Sequence, residues 1–179
     1  MCPPPFTLAM SCHLFNVPTI HSCAKVLIGV QKGMDNERQT QIAQQFIQAL
    51  PHSKALGMTL LEIADGCATI TMPYDTRFVG DPETGVIHGG AVSALLDTCA
   101  GAAVMSHNSE PTGTATLDLR IDYMRPAKPG DNIVAKAECY HVTRSIAFVR
   151  ATAMDADMDR PVASATAAFT VQNAKKGLS

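Results

Sequence analysis

"TGVIHGGAVSALLDTCAGAAVMS", Thr84 to Ser106, decides how this chain folds. It is a long run of small and apolar residues with one carboxylate, Asp97, and it begins near His88-Gly89-Gly90. At ~3.6 residues per turn the run makes a helix of about five turns. An unpaired carboxylate inside such a segment is costly and tends to neutralise. Asp97 is therefore either solvated or kept there for a reason. A membrane span is long enough to fit, but His88, Asp97 and four glycines argue against it.

The flanking patterns have a different period. "MTLLEIADGCATITMPY" reads as two strands joined at Asp65-Gly66, a hairpin signal. "DTRFVGDPETG" reads as a loop from its Gly, Pro and Asp content. After the helix, "TLDLRIDY" alternates, which predicts Leu117, Leu119, Ile121 and Tyr123 on one face and Thr116, Asp118, Arg120 and Asp122 on the other. "NIVAKAECYHV", "IAFVRATAM" and "VASATAAFTV" read as three more strands, separated by short turns. Upstream, apolar residues from Asp35 to Leu50 recur at helical spacing until Pro51 ends the pattern. Strands joined by short turns must be antiparallel. The fold class is thus α+β, an antiparallel sheet of about six strands around one long helix. Gly89, Gly90, Ala91, Ala94, Ala100, Gly101 and Ala102 are expected to let that sheet approach closely.

Size and charge bound the rest. A chain of 179 residues, 46% hydrophobic and 17% charged, is expected to form one globular domain. A net charge of −2, no basic run and no Trp give no case for nucleic acid. Six cysteines occur singly, without CxxC or Cys/His ligand spacing, so the expectation is reduced thiols, no metal and a cytoplasmic location. The first 33 residues hold no acid, three cysteines and no clear period. The expected organisation is an extension at 1–33, one domain at 34–173 and a tail at 174–179.

The helix start has its own chemistry. First-turn amides lack intrahelical partners, and the dipole makes that end partly positive. Gly89 and Gly90 lack side chains that would shield those amides, which suits an oxyanion developing on a carbonyl; glycines placed for close packing are the other reading. Asp97 lies eight residues on, ~12 Å along a helix axis. A carbonyl at the Gly89 amide cannot also touch Asp97 of the same helix. If both serve one reaction, Asp97 must come from a second, antiparallel copy, giving two composite sites about a two-fold axis. A structural carboxylate bonded to backbone or hydroxyls is the alternative.

"FVGDPETGVIHGGAVSALLDTCAG", followed by "TATLDLRIDYMRPAKPGD", closely resembles the hotdog-fold acyl-CoA thioesterases of the phenylacetate-degradation (PaaI-like) type, over roughly Gln41 to Val171. The resemblance implies a sheet wrapped around one helix, homodimers pairing side by side, dimers of dimers, and a site between subunits. It implies an acyl-CoA substrate with no separate cofactor, coenzyme A being part of that substrate. Gly89 would polarise the thioester carbonyl, and Asp97 of the partner would act as general base or nucleophile. His88 would hold the helix entrance, and Thr116 would help position the attacking water. The chain departs from the family at Asp81, where Asn is frequent. Asp81 either faces the partner's Asp97, with mutual repulsion, or caps a turn before Pro82. Arg125, Lys128 and Arg144 either meet the coenzyme A phosphates or are solvated turn charges. A non-catalytic acyl-CoA-binding module and an acyl-thioester hydratase or dehydratase are the competing functions.

Overall fold

The structure is a computed structural model that describes residues 44, 45 and 47–172. The expected extension at 1–33 and tail at 174–179 lie outside the described residues, as does most of the expected first helix. Residues 47–49 are helical. That helical stretch ends before Pro51, as expected, but the proline also starts a new one. Leu50 turns extended (φ −76°, ψ 114°), and Pro51 opens a second helix, α1, Pro51–Ala55. Proline suits a first helical position, where its missing N–H has no partner to lose.

Strands β1 (Thr59–Ala64) and β2 (Cys67–Met72) form the expected hairpin. Asp65 (φ 27°) and Gly66 (φ 78°) both turn with positive φ, as a two-residue hairpin demands. The stretch read as a loop holds a short 3₁₀ turn, Thr76–Phe78, and a small hairpin of β3 (Val79–Asp81) and β4 (Val86–Ile87). Helix α2, Gly89–Met105, then leads to β5 (Gly113–Tyr123), β6 (Ile133–Val142), β7 (Ile146–Met154) and β8 (Ala163–Gln172). The six-stranded sheet runs β1-β2-β6-β7-β8-β5 and is antiparallel throughout. It wraps α2, which is the hotdog arrangement. Among the described residues no helix is long and apolar enough to cross a membrane.

Strands β5 and β6 follow each other in sequence but are not neighbours: β5 pairs with β8 at the far edge. The segment joining them must cross the turn between β7 and β8, and the crossing is bolted in place. Arg125 donates to both carboxylate oxygens of Asp155 at 2.6 and 2.7 Å, and again to the Arg160 carbonyl. Asp155 is only 3% exposed and also accepts the N–H groups of Lys128 and Asp157. The guanidinium and these amides hold its carboxyl well below the usual carboxylate range.

The small residues expected to bring the sheet close do so in part, Ala91, Ala94 and Ala102 packing half-buried against the core. Of those seven, only Ala100 is buried. The rest of the close approach comes from the strands, whose inner faces carry Ala135, Ala147, Ala151, Ala153, Ala163 and Ala165, all buried. They leave room for larger groups from the helix, among them Val92, Leu95, Leu96 and Val104. Cys99 sits in the same interface, its thiol against the Ala68 and Ala135 carbonyls at 3.3 and 3.4 Å, and burial pushes its pKa up to about 12.

Asp155→Ala strips Arg125 of its partner and should cost about 2–4 kcal/mol in urea unfolding at pH 7. Because the folded pKa is depressed, this contribution is complete above the unfolded value, ~4, and fades as pH falls below it. The gap between variant and wild type should therefore narrow at pH 3. The Cys99 thiol should resist a maleimide at pH 8 in the native chain and react once urea unfolds it, as mass spectrometry of the labelled peptide will read.

Candidate active site

Helix α2 begins where it does because His88 caps it. His88 is extended (φ −61°, ψ 134°), and its Nδ1 accepts the Gly90 N–H at 2.9 Å. A neutral imidazole accepting at Nδ1 carries its proton on Nε2. The His88 N–H donates to the Phe78 carbonyl at 2.8 Å, which ties the helix start to the preceding loop. Gly80 lies so close that a Cβ there would stand 2.8 Å from His88 Cα. The Gly89 N–H, unlike that of Gly90, has no hydrogen-bond partner among the described residues.

The two glycines also make room for the chain's own side chains. A Cβ on Gly89 would lie 3.3 Å from the Cζ and hydroxyl of Tyr123, and one on Gly90 would lie 2.9 Å from His88 Nδ1. Both vacancies are filled by the chain's own side chains. The missing groups make room for the cap and for an aromatic ring, and the Gly89 amide stays open beside them.

Asp97 is half-buried midway along α2 and accepts a hydrogen bond from the Thr116 hydroxyl at 2.7 Å. This contact corrects the face assignment made from alternation. The register of β5 against β8 shifts between Thr116 and Asp118, so Thr116 pairs with Phe169 and Leu119 with Ala167. Phe169 and Ala167 face the core, so Thr116 shares the helix-facing side with Leu119. Leu117, in the bulge, is left 56% exposed. One extra residue re-aims the hydroxyl at the carboxylate, a common use of bulges beside active sites.

Asp81 takes the turn role within this chain. Its carboxylate accepts the Thr84 hydroxyl at 2.6 Å and the Glu83 N–H at 3.1 Å. The Thr84 hydroxyl, followed by the backbone amide, holds it below its ordinary range. Arg125 is removed from the phosphate-binding candidates, because its guanidinium is committed to Asp155 and to the Arg160 and Pro126 carbonyls. Lys128 is exposed, with Asp131 at 3.8 Å, and Arg144 is exposed in the turn between β6 and β7.

Tyr123 lies on the face that alternation gave it, with Leu119 and Ile121, opposite the enclosed Ala163. At the end of β5 it is 50% exposed, and its hydroxyl donates to the Gly89 carbonyl at 2.6 Å. Ser93, one turn into α2, lies 2.7 Å from the same hydroxyl. The available signal was the hydroxyl itself, since a tyrosine ending an apolar file needs a polar partner there.

The sequence profile of the thioesterase superfamily matches residues 84–162, from the loop before α2 to the end of the β7–β8 turn. A putative esterase of Halobacterium salinarum is 30% identical over 117 residues, 64% of this chain and 76% of that protein. The chain belongs to the thioesterase superfamily. Its enzyme class is thioester hydrolase. The medium/long-chain acyl-CoA thioesterase YigI of Escherichia coli is 25% identical over 143 residues, 73% of this chain and 91% of YigI. A solved structure from Pseudomonas aeruginosa superposes with a TM-score of 0.66 at 38% identity, covering 73% of this chain and 97% of that one. The E. coli PaaI protein has the same fold, with a TM-score of 0.68 at 21% identity over 77% of this chain and 96% of its own.

A thioester hydrolase needs a polarised carbonyl and an activated water, and this thioesterase carries one group suited to each on a single helix. Thr116→Val should keep the fold while leaving Asp97 without its donor. Loss of a hydrogen bond to a charged group predicts about tenfold lower kcat, read by thiol release, with a melting temperature close to wild type.

Proposed function

We propose that the chain is an acyl-CoA thioesterase whose active site is shared by two copies. The observation that carries this reading is the position of both groups on α2. Gly89 is its first residue and Asp97 its ninth, so a rise of ~1.5 Å per residue separates them by ~12 Å. Reacting groups must come within about 3.5 Å of one another, so a second α2 has to supply Asp97. The β5 edge supports such pairing. It is an 11-residue strand with only β8 on one side, and Leu117, Tyr123 and the adjacent Met124 are 56%, 50% and 58% exposed there. An unpaired edge carrying exposed apolar groups suits the same edge of another copy. Association of two dimers into a tetramer belongs to the same reading.

The acyl thioester lies with its carbonyl oxygen at the Gly89 N–H, on the positive end of α2. Asp97 from the other copy takes a proton from water while Thr116 occupies its Oδ1. The hydroxide adds to the carbonyl carbon, and the oxygen takes up negative charge against the amide. The tetrahedral intermediate collapses, the C–S bond breaks, and coenzyme A leaves as a thiolate that is then protonated. The free acid is the other product. These steps use only the chain, the substrate and water. The names of the relatives support an acyl-CoA as substrate, and a panel of aromatic, medium- and long-chain acyl-CoAs selects the acyl group.

Asp97→Asn should lower kcat at least ~100-fold, the scale of general-base catalysis, while leaving oligomeric state unchanged. Gly89→Pro deletes the amide proton at a first helical position, whose backbone suits proline, and its ring pushes against Tyr123, 3.3 Å from the added Cβ. Mixed, unfolded and refolded together, these two inactive variants should recover about a quarter of the wild-type rate, because half of the dimers then carry one intact site of two. No recovery, with mixed dimers demonstrated by mass spectrometry, rules out the shared site.

A further inference from the structure

Two adjacent glycines at a helix start are the freest backbone a chain can offer. Catalysis by an amide requires the opposite, a donor fixed before charge develops. The structure shows what removes that freedom. On one side, the His88 N–H is bonded to Phe78 and the His88 carbonyl accepts the Ala91 N–H at 3.0 Å. On the other, Gly90 N–H is bonded to His88 Nδ1. Between them, the Gly89 carbonyl accepts the Tyr123 hydroxyl at 2.6 Å, and the Tyr123 ring fills the space a Gly89 side chain would take. The Ser93 hydroxyl lies 2.7 Å from the phenol oxygen and also reaches the Gly89 carbonyl, at 3.1 Å, so it shares the acceptor that Tyr123 holds at 2.6 Å. The contact joins the last residue of β5 to the first of α2.

We propose that Tyr123 is a positioning residue for thioester hydrolysis, acting through the Gly89 carbonyl to hold the Gly89 amide in the orientation that receives the oxyanion. The inference rests on the acyl-CoA thioesterase reading. It assigns to β5 two positions in one reaction: Thr116 aims the carboxylate, and Tyr123, seven residues on, aims the amide. The hydroxyl acts on a group that meets the substrate mainly as charge develops. Its removal should therefore depress kcat and leave KM nearly alone. Ser93 reaches the same carbonyl over the longer distance of 3.1 Å, so its loss should matter less.

The test uses the full chain and the best acyl-CoA from the panel. Tyr123→Phe keeps the ring over Gly89 and deletes only the hydroxyl. The expected result is kcat about tenfold lower with KM within about twofold, unchanged oligomeric state and an unchanged melting temperature. Ser93→Ala is expected to lower kcat by about twofold to threefold. In parallel, amide resonances recorded for wild type and Tyr123→Phe should show Gly89 and Gly90 shifted and exchanging faster with solvent in the variant. Wild-type kcat in Tyr123→Phe, a fall in rate that tracks lost stability, or unmoved Gly89 and Gly90 amides would each overturn the inference while leaving the thioesterase reading intact. A wild-type chain that releases no thiol from any acyl-CoA overturns that reading first, and the positioning role with it.

Discussion

Helix α2 is a rigid rod gripped along one side by its own sheet, and its rigidity sets the terms for everything around it. A flexible segment could bend Asp97 back toward Gly89. A helix with Val92, Leu95, Leu96, Cys99 and Val104 fully packed against strands cannot. The two functional groups therefore stay two turns apart, and each is tuned separately by a different part of β5. The strand reaches the amide with a phenol at one end and the carboxylate with a hydroxyl near the other. Both contacts depend on β5 lying at the far edge, beside β8 rather than beside β6. The register with β8 places the strand there, and Arg125 and Asp155 hold the segment that crosses back to β6.

How much of this could be read from the sequence depended on how local the signal was. The Asp65-Gly66 hairpin was legible because both positive φ values belong to the two residues that advertise them. The long helix was legible from composition, and its start from His88 and the glycines. Thr116 was placed on the wrong face because a bulge leaves no mark on period-two alternation; it is decided by how β5 fits against β8. Arg125 looked like one more turn charge, since its partner is thirty residues away. The seven small residues credited with close packing show the same limit. Smallness is visible in sequence, but which surface it faces is a tertiary matter.

The site also shows how a backbone group is made dependable. Among the described residues the Gly89 N–H has no bond of its own; its neighbours on both sides are bonded instead. His88 fills two roles at once, capping the helix through Nδ1 and anchoring the loop through its N–H. Asp81 rigidifies the same loop by folding back onto Thr84 and Glu83. The hairpin before α2 is thus stiffened by short-range polar contacts, where the sheet is stiffened by packing.

The alanine-lined interior has a consequence for how such a chain can diverge. Ala135, Ala147, Ala153 and Ala163 are completely enclosed. A larger side chain at any of them would be forced against α2, and overpacking of this kind typically costs about 1–3 kcal/mol. A smaller one leaves only glycine, which weakens a strand. Neutral drift is therefore blocked in both directions at the centre of the sheet. Variation that retunes the enzyme has to accumulate along the outward side of α2 and the β5 margin, where substitutions do not have to be compensated from within.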